Sequence, residues 1–300
     1  MSQRPHVLFL FLDGVGIGWK DPETNPFFAG SYPSIEDAFG GSMPHLRDSR
    51  RTSPLGSLVP ISATLGIPGL PQSGTGQTSL LTGVNAARMI GKHFGPFPYS
   101  TLRPVLAERN LFRVLHDNGR KVFYANAFPR RFFEHVALRP NRVSAMTMSW
   151  MLSGFPLNDP KALIEGRALS ADLTGERFPH DGASPVPVIS PGEAGERLSR
   201  LALEFDFVLF EYYLTDHAGH SRSMEEARGV LAKLDKFLGG IMRHLDPAST
   251  IFIITSDHGN LEDLSTKSHT RNPVPFSVIG RTLPAKNLTH VYRAILDVLI

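Results

Sequence analysis

Residues 250–260 read Thr-Ile-Phe-Ile-Ile-Thr-Ser-Asp-His-Gly-Asn, and this stretch decides the fold. Its first six residues form an apolar run rich in β-branched side chains, which predicts a strand buried on both faces. The run ends at Ser256, Asp257 and His258. A carboxylate and an imidazole at the carboxyl end of a strand occupy the usual site position of an open α/β sheet, and they suit Zn, Mn or Fe. The alternative is a turn in which Asp257 caps a helix and His258 is solvated.

A second apolar run, residues 6–12, is followed by Asp13 and a glycine-rich segment at 14–18. Asp13 at the end of a central strand is a candidate metal ligand, and the glycines allow the backbone to turn tightly beside it. A dinucleotide-binding loop is one alternative, although the spacing differs from G-x-G-x-x-G and no helix pattern follows. A plain turn is the other alternative.

A third run, residues 205–213, leads into Leu-Thr-Asp-His-Ala-Gly-His. Asp216 and His220 are four residues apart, about one helical turn, so both side chains can reach one ion. Together with His258 and His269, the carboxylates at the three strand ends supply ligands for two metal sites. A pair of metal ions stabilises the attacking and the leaving oxygens of an in-line displacement.

A hydroxyl-rich segment, residues 71–83, supplies candidates for a nucleophile. A short helix is predicted over 77–82, opened by a loop of Ser, Gly and Thr. A hydroxyl at the N-terminus of a helix lies in positive partial charge beside unpaired backbone N–H groups, which suits attack on a phosphoryl or sulfuryl group. The alternative is a serine or threonine that only caps the helix.

The rest of the chain alternates between predicted strands and amphipathic helices, which indicates an α/β fold. We expect helices over 102–118, 193–204, 222–245 and 289–300, and strands over 121–125 and 276–279. Residues 19–70 are loop-rich and predict one short strand. Residues 129–190 differ, because an arginine cluster is combined with Met-rich and Pro-rich stretches. We therefore predict a metalloenzyme core formed by 1–128 and 191–300, with 129–190 as a small inserted cap.

Composition narrows the class of function. The net charge of +3 and the absence of a dense Lys/Arg run argue against nucleic-acid binding. The chain contains no cysteine, which excludes disulfides and thiolate metal sites and favours the cytosol. We see no signal-peptide pattern and no apolar run of about 18 residues, so we expect a cytoplasmic protein with no membrane partner.

The strand-end motifs resemble those of the alkaline phosphatase superfamily. The matching segments are Asp257-His258-Gly259-Asn260, His269-Thr270-x-Asn272-Pro273-Val274-Pro275, Leu12-Asp13-Gly14-Val15-Gly16 and Asp216-His217-Ala218-Gly219-His220. The branch they resemble most is that of cofactor-independent phosphoglycerate mutase and phosphopentomutase. This resemblance implies an alkaline phosphatase-like fold, a three-layer sandwich around a mostly parallel sheet.

The resemblance also implies two divalent metal ions, Mn or Zn, and their ligands. One ion would be held by Asp216, His220 and His269, and the other by Asp13, Asp257, His258 and the nucleophile. In the mutases the nucleophile lies three residues before a Gly-His pair, which reads Gly76-Gln77 here. Ser73 is therefore the implied nucleophile and metal ligand, and Thr75 is the fallback nucleophile.

We predict a metal-dependent phosphatase or phosphodiesterase that acts on a small anionic phosphoester. The alternative is a phosphomutase acting on a phosphorylated sugar or sugar acid, and Gln77 in place of His favours the hydrolase. A sulfatase, and a nucleotide-binding module that uses the glycine loop, are further alternatives. Four residues are candidates for handling the leaving group or the far end of the substrate: Lys92, His93, Arg167 and Arg177.

Overall fold

A seven-stranded sheet forms the centre of the described chain. The computed structural model describes residues 5–179 and 185–300, so residues 1–4 of the predicted core and 180–184 of the predicted cap lie outside the described residues. The strands are β1 (His6–Leu12), β2 (Arg51–Ser53), β3 (Gly56–Ile61), β4 (Val122–Tyr124), β5 (Phe207–Tyr212), β6 (Thr250–Thr255) and β7 (Val274–Ile279). Their order across the sheet is β2-β3-β7-β6-β1-β5-β4.

The sheet is mixed in direction. β1 pairs in parallel with β5 and β6, and β4 extends the parallel part beyond β5. On the other side β7 pairs antiparallel with both β6 and β3, and β2 forms a hairpin with β3. The predicted α/β class is confirmed, with parallel pairing in the half that contains β6, β1, β5 and β4. The hairpin of β2 and β3 lies in the segment for which the sequence predicted one short strand.

Helices connect and cover the strands. They are α1 (Pro33–Ala38), α2 (Ser73–Thr82), α3 (Ala86–Ile90), α4 (Arg103–Arg109), α5 (Leu111–Asp117), α6 (Arg130–Leu138), α7 (Ala145–Leu152), α8 (Pro160–Ile164), α9 (Pro191–Glu204), α10 (Leu214–Ser221), α11 (Met224–His244) and α12 (Leu288–Leu299). Short 3₁₀ turns lie at Pro26–Phe28 and Ser100–Leu102. The prediction of one helix over 102–118 is wrong, because Asn110 has an extended backbone and its side chain caps α5 through the N–H of Arg113.

Apolar side chains cover both faces of the sheet. The odd-numbered residues of β1 from Val7 belong to one buried cluster, and the even-numbered residues from Leu8 belong to another. The first cluster includes residues of α2, α5, α7 and α12, whereas the second includes residues of α1, α9 and α11. Burial on both faces explains why the central strands are uninterrupted apolar runs.

The segment predicted as a cap contains α6, α7 and α8. Helix α7 packs against α2 and contributes Met146 and Trp150 to the first buried cluster. Helix α6, by contrast, has no buried residue. The division into a core and an inserted cap stays a prediction. Within 5–179 and 185–300, no helix combines the length and the apolar character that crossing a membrane requires.

Candidate metal centre

Neighbouring strands bring the predicted carboxylates together at one edge of the sheet. Phe11 of β1 pairs with Thr255 of β6 in parallel register, so Asp13 and Asp257, each two residues further on, lie side by side. Both side chains are buried. Asp216 reaches the same edge from the first turn of α10, directly after β5.

The first ligand cluster forms around the imidazole of His258. Its Nε2 lies 3.3 Å from Oδ1 of Asp13, 3.6 Å from Oδ2 of Asp257 and 3.0 Å from Oγ of Ser73. Ligand atoms of Asp13, Asp257 and His258 all lie within 4.8 Å of one another. The structure thus brings together the donor set that the resemblance implies for one ion.

The second ligand cluster adjoins the first. Nε2 of His269 lies 3.2 Å from Nε2 of His220 and 3.9 Å from Oδ1 of Asp216. Oδ2 of Asp216 is 3.3 Å from Nε2 of His220. The rings of His258 and His269 stack with centroids 3.7 Å apart, so the two clusters are contiguous. All three predicted ligands of the second ion therefore meet.

Backbone carbonyls orient the two histidines of the second cluster. Nδ1 of His269 lies 2.8 Å from the carbonyl oxygen of Pro71, and Nδ1 of His220 lies 3.1 Å from that of Lys267. Because a carbonyl only accepts, Nδ1 carries the proton of the neutral ring and Nε2 presents its lone pair to the cluster. Metal-binding histidines are oriented in this way by their second nitrogen.

The buried carboxylates of the first cluster have unsatisfied oxygens. Oδ1 of Asp13 and Oδ2 of Asp257 accept no hydrogen bond. Burial raises the pKa of both carboxyl groups, and the charge of Asp257 raises the pKa of Asp13 further. A divalent cation between these oxygens would offset both the burial of charge and the mutual repulsion. The residues at this edge of the sheet therefore fit divalent metal ions.

Ser73 and Thr75 have different surroundings. Helix α2 begins at Ser73, earlier than its predicted start at residue 77, and Ser73 Oγ faces His258. Thr75 Oγ1 donates to the carbonyl oxygen of Gln72 at 3.1 Å and accepts from the N–H of Phe94 at 3.3 Å. The hydroxyl of Thr75 thus stabilises the local chain, whereas that of Ser73 meets the ligand clusters.

Gln77 links the first cluster to α7. Its Nε2 donates to Oδ2 of Asp13 at 3.2 Å, and its Oε1 accepts from the N–H of Ala145 at 3.1 Å. The residue that replaces His in the predicted motif therefore fixes a carboxylate of the site.

The backbone N–H groups of the glycine-rich loop after β1 donate to side chains of the protein. The N–H of Val15 donates to Ser256 Oγ at 2.9 Å, and that of Gly16 donates to Glu262 Oε2 at 3.0 Å. A phosphate-binding loop needs such N–H groups to face a ligand. The contacts therefore favour the interpretation in which the glycines let the chain turn beside Asp13.

Glu262 organises the loops around the site and was not predicted. This buried carboxylate also accepts from the N–H of Asn260 at 2.8 Å and from Nδ2 of Asn272 at 3.0 Å. Nδ2 of Asn260 in turn donates to Oδ1 of Asp216 at 2.7 Å. No spacing in the sequence marks Glu262, because its partner Gly16 follows β1 and its partner Asn272 lies ten residues further along the connection between β6 and β7.

A cavity of about 720 Å³ opens beside Ser73 and Asp13. Of the four predicted substrate residues, Arg177 lines this cavity and the other three do not. Lys92 Nζ lies over the rings of two aromatic residues, His93 Nε2 is 3.3 Å from the carbonyl oxygen of Ile67, and Arg167 pairs with Glu165.

Glu211 lines the same cavity and was missed by the sequence argument. Its Oε2 accepts from the hydroxyl of Tyr124 at 2.5 Å and from that of Ser144 at 3.0 Å. Burial raises the pKa of Glu211 to about 7. The sequence did contain an indication, because Glu211 is a single carboxylate inside the apolar run of β5. Burying such a group costs free energy unless it has hydrogen-bond partners.

Comparison with known proteins points to metalloenzymes, as the two ligand clusters do. A family model described as the Metalloenzyme superfamily matches residues 191–296. The predicted resemblance to the alkaline phosphatase superfamily is confirmed. The 2,3-bisphosphoglycerate-independent phosphoglycerate mutase 1 of Methanocaldococcus jannaschii is 27% identical over 127 residues, which are 42% of this chain and 30% of that enzyme. The matched part thus spans less than a third of this curated relative.

Several solved structures share the fold of this chain. The PH0037 protein of Pyrococcus horikoshii superposes with a TM-score of 0.57 at 14% identity, covering 100% of this chain and 98% of the other. A phosphoglycerate mutase of Leishmania mexicana superposes with a TM-score of 0.52 at 12% identity, covering 99% of this chain and 95% of the other. At these identities the likeness concerns the fold alone.

Proposed function

We propose that the chain is a metal-dependent phosphoric ester hydrolase, a phosphatase or phosphodiesterase, in which Ser73 is the nucleophile. The observation that carries this proposal is the position of Ser73 Oγ, 3.0 Å from Nε2 of His258, where the two ligand clusters meet. Ser73 also opens the ten-residue helix α2, whose positive end favours an anionic oxygen and a phosphoryl group beside it.

Two divalent ions fit the two clusters. We assign one to Asp13, Ser73, Asp257 and His258, and the other to Asp216, His220 and His269. Mn and Zn suit this mixture of carboxylate and imidazole ligands. When bound, such ions favour ionisation of the serine hydroxyl and neutralise charge on the attacking and leaving oxygens.

Hydrolysis would proceed through two displacements. Ser73 releases its proton to solvent, its Oγ bonds to phosphorus, the ester P–O bond breaks, and the departing alkoxide takes a proton from solvent. Water then attacks the phosphoserine, the P–Oγ bond breaks, Ser73 regains a proton, and inorganic phosphate leaves. Gln77 holds Asp13 throughout, and Arg177 at the cavity attracts the anionic substrate.

A phosphomutase acting on a phosphorylated sugar or sugar acid is the second candidate, because the curated relative is named as a mutase. In that reaction the phosphoserine returns its phosphoryl group to another hydroxyl, and no phosphate is released. Gln77 favours the hydrolase, because an amide at this position cannot donate or accept a proton as the His of the mutase motif can.

The test is a panel of phosphoesters assayed with Mn, Zn and Mg on the wild-type protein and on Ser73→Ala. Free phosphate and isomerised phosphosugar are quantified separately. We expect phosphate release that falls by at least about 100-fold in Ser73→Ala, since removal of a nucleophile has effects of this size or larger. Thr75→Ser, which keeps a hydroxyl at the fallback position, is the matched control and should retain activity. Isomerisation without phosphate release would favour the mutase, and undiminished activity of Ser73→Ala would refute Ser73 as the nucleophile.

We further infer three features of the protein: the layers of its fold, an inserted cap and its location in the cell. Helices line both apolar faces of the sheet, which supports a three-layer sandwich. The lack of buried residues in α6 supports an inserted cap within 129–190. The absence of cysteine supports a cytoplasmic location.

A further inference from the structure

The cavity beside Ser73 is much larger than a phosphate group requires. Its volume of about 720 Å³ falls in the range of pockets that enclose whole drug-sized ligands. Ser73, Asp13 and Gln77 belong to its lining, so the organic part of an ester bound at Ser73 would contact the other residues that line the space. The walls of that space therefore indicate the chemistry of the organic part.

One wall of the cavity is a continuous ladder of aromatic rings. The ring of Tyr124 lies 6.1 Å from that of Phe128, which stacks on Phe132 with centroids 4.3 Å apart. The hydroxyl of Tyr124 donates to the buried Glu211, so the ladder begins beside this carboxyl group. Further apolar side chains belong to the lining beside several polar ones: Pro96, Phe97, Pro129, Phe178, Pro179 and Leu214.

The charges of the cavity are unequally distributed. Asp172 is a buried carboxylate of its lining, whereas the arginines Arg131 and Arg177 are exposed. Asp172 already accepts hydrogen bonds from the N–H groups of Gly175 and Arg177. An organic part with its own carboxylate would therefore meet the like charge of Asp172, and the two arginines of the lining lie only at the surface.

We propose that the substrate is a phosphate ester whose organic part is bulky and apolar and packs against the Tyr124–Phe128–Phe132 ladder. This inference rests on the proposed phosphoester hydrolase and specifies its substrate class. Burial of apolar surface against the ladder contributes to binding in proportion to the area removed from water. The Asp172 carboxylate disfavours small substrates that carry a second anion.

The test uses a homologous series of n-alkyl phosphate monoesters from ethyl to octyl. All are esters of primary alcohols, so leaving-group chemistry is nearly constant and kcat/KM reports contact with the organic part. We expect kcat/KM to rise with chain length, by up to about fourfold for each methylene that is fully buried. Phe132→Ala should flatten this dependence, so that the ratio of kcat/KM for octyl phosphate to kcat/KM for ethyl phosphate falls.

Phe155→Ala is the matched control, because Phe155 is a half-buried aromatic residue that stacks on Trp150 away from the cavity. It should keep the wild-type dependence on chain length. A flat series in the wild type, or faster turnover of 3-phosphoglycerate than of octyl phosphate, would overturn the inference while leaving phosphoester hydrolysis intact.

Failure of the proposed function gives a different result. If ethyl, octyl and 4-nitrophenyl phosphates all remain intact with Mn, Zn or Mg, the hydrolase proposal fails. Calorimetric titration with ethyl and octyl phosphonates, which cannot be hydrolysed, then tests the substrate class directly. Tighter binding of the octyl compound, lost in Phe132→Ala, supports the apolar site, and equal or absent binding overturns it.

Discussion

At the scale of single residues, Glu211 contrasts with the acidic residues of the ligand clusters. It pairs in register with Phe11 of β1, which pairs in turn with Thr255 of β6, so its side chain shares a sheet face with Asp13 and Asp257. Its Oε2 accepts hydrogen bonds from two neutral hydroxyls. Burial without a cationic hydrogen-bond partner favours the protonated carboxyl group.

This environment predicts a pH-dependent stability that Glu211→Gln removes. Burial raises the pKa of Glu211 from 4.5 to about 7, so between these values the folded state binds a proton that the unfolded state has lost. The contribution of Glu211 to stability is complete below pH 4.5 and falls as pH rises, by about 3 kcal/mol once the group is ionised in the folded state. Glutamine keeps a hydrogen-bonding side chain but does not titrate.

Urea unfolding of both proteins from pH 5 to 8 measures the effect at a fixed metal concentration. The free energy of unfolding of wild type, minus that of Glu211→Gln, should decrease as pH rises and level off above about pH 7. Glu165→Gln removes one exposed carboxylate outside the cavity and is the matched control. A difference that stays constant, or that grows with pH, would contradict the protonated state of Glu211.

Single residues also separate what the sequence could predict from what it could not. Asp13 and Asp257 were identifiable because each follows a long apolar run, and ends of adjacent parallel strands meet at one sheet edge. The contact of Gln77 with Asp13 joins residues 64 positions apart, and that of Tyr124 with Glu211 joins residues 87 apart. Neither pair has a local signature, since only the packed fold brings its members together.

At the scale of elements, the contact between the loop after β1 and helix α10 fixes the position of Asp216 in the second cluster. Gly14, directly after Asp13, has a φ of +68°, and a Cβ at this position would lie 2.5 Å from Oδ1 of Asp216. The loop thus approaches the predicted metal ligand Asp216 as closely as the absence of a side chain allows. A substitution here would strain the backbone and displace the Asp216 carboxylate as well.

Gly14→Ala should therefore weaken metal binding by about 10- to 100-fold, the range seen when groups that orient ligands are altered. Gly119→Ala is the matched control, because Gly119 also has a positive φ, +75°, but has no atom within 4 Å of the added Cβ. Isothermal titration with Mn or Zn compares the two variants. Equal metal affinities of the Gly14→Ala and Gly119→Ala variants would mean that the contact of the added Cβ with Asp216 does not weaken metal binding.

Whole elements were predicted where one periodicity covered the entire segment. Helix α11 is amphipathic along its length and forms within two residues of its expected ends at 222 and 245. The boundary between α4 and α5 was missed, because Asn110 interrupts the helix without breaking its apolar pattern. Helix α2 starts early at Ser73, because tertiary packing buries its entire Ser-Gly-Thr-rich first turn.

At the scale of the whole molecule, the ligand clusters join segments that are distant in the sequence. The N-terminal strand provides Asp13, α2 provides Ser73, α10 provides Asp216 and His220, and the loops after β6 provide the remaining ligands. A metal ion bound by several of these segments favours the folded chain over the unfolded one, in which the ligands are apart. Metal occupancy and global stability are therefore coupled.

Removal of metal should accordingly lower the melting temperature of the whole chain. Free ion at about 100 times its Kd stabilises the fold by about 2.7 kcal/mol, which corresponds to a shift of roughly 4 °C for a chain of this size. Differential scanning calorimetry with a chelator, and then with added Mn, Zn or Mg, measures this shift. Asp257→Asn should reduce the response, whereas Asp263→Asn, which alters a carboxylate of the same loop outside both clusters, should keep it. A melting temperature indifferent to chelation and to every added ion would show that the clusters do not bind metal in the folded protein, because an ion bound to the folded state alone must stabilise it.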